Sequence, residues 1–334
     1  MRKARWVNAI LMQFVVFAAG LGASSLCAGK EDIANYPSKP ITMIVPWGPG
    51  GSGDLTTRKI SERASAILGQ PIVIVTKPGG AGVTGTVLMS QSEPDGYTLG
   101  FATWSPFTIV PHIRAVPYKT KEDFTWIMQF GATAMTFAVL SSSPWKTFKD
   151  FVEAARKNPG KLKYSTPGPL SGQTILMETV FLQEKVKVTF VPVSGGNEGD
   201  IRLLGGHIDA MVSPTLASYM KEGKVRGLML AQSRNRLEAF PDIPTHYELG
   251  YNFDSPGWYG IFGPKGLDPQ IIKKLEHAFL QACRESAFKD FMTQISHLAV
   301  CKDAETFKAQ VYSDFDAEGV ALKRLIDLGM IKKQ

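Results

Sequence analysis

The chain reads as an α/β protein of two lobes, each built on a mostly parallel sheet flanked by helices. Three observations predict this. Its 334 residues exceed one ordinary core and suit two domains of roughly 100–200 residues each. Hydrophobic residues make up 44% and charged residues 20%, the balance of a globular chain rather than a disordered or membrane one. From Pro37 onward, short apolar runs at 41–45, 72–75, 98–102, 187–191, 209–212 and 225–231 alternate with amphipathic stretches at 54–68, 147–157, 172–182 and 269–284. Such alternation is the signature of βαβ units with buried strands.

The N-terminus carries Arg2, Lys3 and Arg5, an apolar run at 9–21, and the small-residue stretch ASSLCA at 23–28. This order predicts a signal peptide over residues 1–28 and export of the chain. The apolar run falls short of the roughly 20 residues a membrane span needs. Leu26 precedes Cys27 where lipid-attachment signals have a small residue, so cleavage is expected between Ser25 and Ala28. Losing the leader's three cations lowers the formal charge from +7 to +4. That remainder is dispersed, with no basic stripe or aromatic platform, so no nucleic-acid partner is expected and the bias is toward small anions.

Thr147 followed by Asp150 is a capping-box type helix start. The small-residue stretch 129–136 and the turn-rich stretch 241–257 are the expected crossings between lobes. Lobe 1 then comprises 36–131 plus 253–334, and lobe 2, inserted into it, comprises 132–252.

Chemistry concentrates in three turns. The first is ITMIVPWGPGGSGD (41–54), a strand running through glycines into a helix. Glycine lets backbone approach a ligand closely, and a helix start offers unpaired N–H groups and a positive dipole end, which together favour an anion. Gly48, Gly50 and Gly53 also fit the dinucleotide spacing, but the next strand ends in VTKP (75–78) without the acidic residue that holds a ribose. A P-loop lacks its Lys-Ser/Thr, and Asp54 suits a helix-capping role. The second turn is YSTPGPLSGQ (164–173) and the third VPVSGGNEGD (191–200). Two lobes presenting such turns suggest an anion held in a cleft.

Catalytic sets are scarce. His112, His207, His246, His277 and His297 have no ligand spacing, no Gly-x-Ser-x-Gly elbow occurs, and Ser143 with Lys146 is interrupted by Pro144. Neither cofactor nor metal is expected. Trp47 and Trp104 follow two strand ends, where they either pack the core or line the cleft. Cys283 and Cys301 could form a bridge in an oxidising compartment or remain two thiols.

Together, YPSKPITMIVPWGPGGSGD (36–54), KPGGAG (77–82), PDGYT (94–98), LGGHID (204–209), PDIPT (241–245) and WYGIFGP (258–264) resemble the tripartite tricarboxylate transporter receptors, also called Bug proteins. The resemblance implies a two-lobed periplasmic binding protein fold whose central cleft closes over an organic acid. By position it implies ligand contacts from Trp47, Gly50, Gly51, Ser52 and Thr103 in lobe 1. Lobe 2 would contribute Thr166, Gly168, Ser171, Gly172, Gly195, Gly196 and Asp200. It further implies a monomer serving a membrane permease with a small mono- or dicarboxylate. A sensor for a signalling partner and a nicotinamide-dependent enzyme are the alternatives. Trp47 where Phe is frequent, Pro167 and Pro169, and Val193-Ser194 where Tyr-Lys is common depart from the family pattern and bear on ligand identity. None of the three turns contains Lys or Arg, so the carboxylate is expected to rest on neutral donors, with Arg58 secondary and a side chain at Gly51 blocking approach.

Overall fold

In the computed structural model, β1 (Ile41–Val45), β2 (Ile72–Thr76), β3 (Thr98–Thr103), β4 (Phe124–Thr133), β10 (Trp258–Pro264) and β11 (His297–Lys302) form one sheet in the order β11-β4-β10-β3-β1-β2. A second sheet, ordered β7-β6-β8-β5-β9, is made by β5 (Thr136–Leu140), β6 (Lys163–Ser165), β7 (Thr189–Phe190), β8 (Ala210–Ser213) and β9 (Val225–Leu230). The structure describes residues 33–133, 135–168, 171–193, 196–231, 236–237, 239–251, 257–329 and 333. The signal-peptide reading of 1–28 and the site residue Gly195 therefore lie outside the described residues. Residues Pro37–Gln334 form one compact unit carrying both sheets; the preceding unit, Met1–Tyr36, contributes a 3-10 turn at Ile33–Asn35.

The sheets are mixed, which corrects the expectation of mostly parallel ones. β1 pairs β2 and β3 in parallel, and β6 pairs β7 and β8 in parallel. The pairs β10–β3, β10–β4, β11–β4, β5–β8 and β5–β9 are antiparallel. The physical reason is connectivity. β1, β2 and β3, and likewise β6, β7 and β8, follow one another through helices and run parallel, whereas β4, β5 and β10 adjoin the passages from one sheet to the other and carry no such constraint.

The helices are α1 (Ser52–Leu68), α2 (Val83–Ser90), α3 (Val110–Ile113), α4 (Phe148–Lys157), α5 (Gly172–Gln183), α6 (Gly196–Leu204), α7 (Leu216–Lys221), α8 (Pro269–Arg284), α9 (Ser286–Gln294) and α10 (Ala304–Asp327). Their ends follow local chemistry. Thr147 and Asp150 form the expected capping box on α4, Ser171 caps α5, and Asp268 followed by Pro269 opens α8. Gly69, at φ 71°, closes α1 in the left-handed region. Among the described residues no helix is long and apolar enough to cross a membrane.

The first sheet's core is aromatic: Phe107 meets Phe262 and Phe124 edge-on at 5.0 and 5.1 Å, and Trp126 meets Phe307 of α10 at 5.4 Å. The second sheet packs Phe137 against Phe148 and Phe151 of α4 on one face. Its other core gathers Ala138, Leu203, Ile208, Met211, Leu216 and Val225. Packing against these cores holds the strand ends in place.

Cys283 at the end of α8 and Cys301 on β11 are joined as a disulfide with Cα atoms 5.9 Å apart. This resolves the alternatives left by the sequence in favour of the bridge.

Candidate ligand-binding site

In the first sheet, the loops after three neighbouring parallel strands converge on the indole of Trp47. A Cβ on Gly53, at the start of α1, would lie 3.6 Å from Trp47 Cδ1. One on Gly82, after β2, would lie 3.3 Å from Trp47 Cζ2 and 3.2 Å from Pro106 Cγ. Trp47 Nε1 donates to the Thr103 hydroxyl at 3.3 Å, which brings in the end of β3. The C-terminal ends of adjacent parallel strands are where open α/β sheets bind ligands.

The glycines of the first turn have distinct duties. Gly50 has φ 77°, a conformation that costs a side-chain-bearing residue about 1 kcal/mol. Gly53 lets α1 approach β3, since a Cβ there would come within 2.7 Å of Phe101 Cε1. Gly51 caps α1 at φ −72°, and a Cβ there would meet only the Gly48 carbonyl oxygen at 3.5 Å. The fold therefore accepts a side chain at Gly51; any penalty would fall on a ligand alone.

Asp54 accepts the Gly50 N–H at 2.9 Å and lies 3.0 Å from Arg58 Nε, while only 2% exposed. Burial pushes its carboxyl up, but Arg58 and the Gly50 N–H outweigh this and hold it below its ordinary value. The Gly50 N–H, expected to face a ligand, is thus spent on the turn. The Arg58 guanidinium is committed to Asp54 with half its side chain in solvent.

Ser52 is braced from below. Its Oγ lies 2.9 Å from the Tyr259 hydroxyl on β10, which lies 3.4 Å from His297 Nε2 on β11. His297 Nδ1 contacts the Ile295 carbonyl at 2.9 Å, so Nδ1 carries the proton and Nε2 is an acceptor. Burial holds His297 neutral by lowering its pKa to about 4, and raises that of Tyr259. Tyr259 therefore gives its one proton to His297 Nε2 and accepts that of Ser52, which leaves Ser52 Oγ with acceptor capacity at the turn. Tyr259→Phe should reduce unfolding free energy by about 1 kcal/mol, because the buried His297 Nε2 loses its donor; urea unfolding checks this, and an unchanged midpoint would mean the 3.4 Å contact carries nothing.

The second sheet gathers its own turns. A Cβ on Gly196 would lie 3.3 Å from Ser213 Oγ and 3.9 Å from Pro167 Cγ, so the turn after β6, the start of α6 and the end of β8 meet. The Thr166 hydroxyl is fully buried and donates to the Gly168 carbonyl at 3.0 Å. Thr174 Oγ1 lies 2.6 Å from Thr166 Oγ1 and 2.7 Å from the same carbonyl. Ser171 Oγ accepts the Thr174 N–H. Much of this hydroxyl set stiffens the turn. Asp200 is 2% exposed and accepts the Thr215 hydroxyl; burial raises its pKa, partly offset by Thr215 and Ser213.

The two halves meet at Trp104 and Gly172. A Cβ on Gly172, the first residue of α5, would stand 2.1 Å from Trp104 Nε1. Trp104 follows β3 and so brings the Thr103 end of the first sheet against the α5 start of the second. Sequence reasoning placed Trp104 at a strand end but missed Pro106, Ser213, Thr215 and Tyr259. The WYGIFGP motif contained the only signal for these, and it named Tyr259 without its role.

Two α/β layers with glycine- and hydroxyl-rich turns facing across one junction define a periplasmic binding protein fold. The description "tripartite tricarboxylate transporter family receptor" matches residues 56–326, and the chain belongs to that family. A Cupriavidus necator protein, "UPF0065 protein in gbd 5′ region", is 31% identical over 321 residues, covering 95% of each chain. A solved periplasmic transporter superposes with a TM-score of 0.80 at 31% identity, over 90% of this chain and all of that one. The periplasmic binding protein BugD gives 0.77 at 25% identity, over 89% of this chain and all of its own.

Proposed function

We propose that this protein is a periplasmic receptor that captures a small mono- or dicarboxylate and hands it to the membrane permease of a tripartite tricarboxylate-type transporter. Lobe 1, residues 36–131 with 253–334, presents Trp47, Gly50, Gly51, Ser52 and Thr103. Lobe 2, residues 132–252, presents Thr166, Gly168, Ser171, Gly172, Gly195, Gly196 and Asp200. It acts as a monomer and leaves its ligand chemically unchanged.

The observation that carries this reading is the contact of Trp104 with Gly172, which sets a strand-end loop of one sheet against the helix start of the other. The donors there are neutral: helix-start N–H groups, hydroxyls and indoles. A helix start contributes roughly 0.3–1 kcal/mol toward an exposed anion and up to about 2 when partly buried. Several of them hold a carboxylate without an ion pair that would slow its release. Family membership supports the same assignment.

Thermal unfolding of the chain lacking its first 28 residues, measured against mono-, di-, tri- and aromatic carboxylic acids, tests this. At a hundredfold excess over Kd a bound acid adds about 2.7 kcal/mol and raises the midpoint visibly. A panel in which no acid moves the midpoint would sink the carboxylate reading. Arg58→Ala should leave the affinity of any acid found within about threefold, since its charge is already screened and committed to Asp54; a hundredfold loss in calorimetry would mean the site depends on an ion pair.

A further inference from the structure

Trp104 is 6% exposed, yet its indole Nε1 has no hydrogen-bond partner among the described residues. Its neighbour Ser105, 5% exposed, has a hydroxyl in the same condition. Two consecutive buried donors without acceptors are costly, roughly 1–3 kcal/mol each, and native folds keep few of them. They sit where β3 gives way to a π-helical turn, Ser105–Ile109, a rare conformation that recurs at functional sites. The unpartnered Nε1 is aimed at the start of α5: it is the atom a Gly172 side chain would strike first. Gly172 and Trp104 thus occupy one space, and only glycine leaves room for the indole.

We propose that Trp104 is a ligand-binding residue, and that its indole N–H donates to a carboxylate oxygen seated at the N-terminus of α5. This rests on the carboxylate-receptor reading above. The acid then bridges the two halves: one oxygen meets the Gly172 N–H at the start of α5, another the indole. Ser105 supplies a second neutral donor from the same turn. An indole N–H cannot be deprotonated in the working range, so the affinity would follow the protonation of the acid itself. The site selects ligands with an ionised carboxylate over their esters, because an ester offers a weaker acceptor and adds bulk where Gly172 leaves none.

The experiment compares the wild type with Trp104→Phe and Gly172→Ala, using succinate, citrate, benzoate and the methyl esters of each. In the absence of acid, Trp104→Phe should be as stable as the wild type or more so, since it removes an unsatisfied buried donor. With acid, it should bind about ten- to hundredfold more weakly. Gly172→Ala, which pushes the indole aside, should lose at least as much. If the wild type binds an acid and Trp104→Phe binds it equally well, the receptor reading stands and this assignment falls. If Trp104→Phe instead loses stability without acid, the indole is a packing element, and the assignment also falls. If the wild type binds none of the acids, both readings fall together.

Discussion

Replacing Cys283 and Cys301 together by alanine should lower the unfolding free energy by about 3 kcal/mol, the chain-entropy value for a closed loop of this size. The bridge spans a sequence separation of 18 and encloses α9 and most of β11. β11 is an edge strand that pairs with β4 alone, and its ladder is interrupted between Ala299 and Lys302. Without the bridge, the strand that carries His297 is tied to the sheet by one imperfect ladder. Urea unfolding of oxidised and reduced protein should therefore give separate midpoints. Coincident curves, or two reactive thiols in denatured unreduced protein, would show that the bridge contributes nothing.

The sequence disclosed those parts of the fold whose physics is local. Strands β1, β2, β3, β8 and β9 and helices α1, α4, α5 and α8 were legible because each is an uninterrupted apolar run or a capped amphipathic stretch. The antiparallel pairings were not. β4 lies between β10 and β11, whose residues follow it by more than a hundred positions, and no pattern within FTWIMQFGAT announces such partners. Read locally, its end looked like a small-residue crossing. β4 ends at Thr133 and β5, in the other sheet, begins at Thr136.

The candidate site divides in the same way. Spacing alone identified the three turns, because glycines between a strand and a helix have few other uses. Which donors are spent was not legible, because that depends on side-chain direction. Asp54 takes the Gly50 N–H, and Gly168 absorbs the Thr166 and Thr174 hydroxyls, leaving a smaller neutral set than composition promised. The contact of Trp104 with Gly172 joins the loop after β3 to the start of α5, 68 positions later in the chain, and is invisible to any local pattern.

Stability should fall as the pH rises from about 6.5 to about 8, by roughly 2 kcal/mol, and Glu318→Gln should abolish that slope. Glu318 of α10 is 5% exposed; burial first, then the Asp314 carboxylate one turn earlier, push its pKa up to about 8. The folded chain therefore keeps a proton that the unfolded chain releases near its ordinary value of 4.5. The stabilisation is complete below that value and is lost as pH climbs through about 8. His297 works in the opposite sense. Its folded pKa of about 4 lies below the ordinary 6.5, so the unfolded chain takes up a proton first as pH drops, and stability falls between 6.5 and 4. From 4.5 to 6.5 the two slopes oppose each other, each about 1.4 kcal/mol per pH unit, and largely cancel. Above 6.5 the opposing His297 slope has ended while Glu318 still titrates differently in the two states, so its loss over the last 1.5 units or so comes to roughly 2 kcal/mol. A urea series across this range in wild type and Glu318→Gln separates the effects: a flat wild-type profile from 6.5 to 8 would show that Glu318 is ionised in the folded protein at neutral pH, and a slope that survives in Glu318→Gln would assign it to another group.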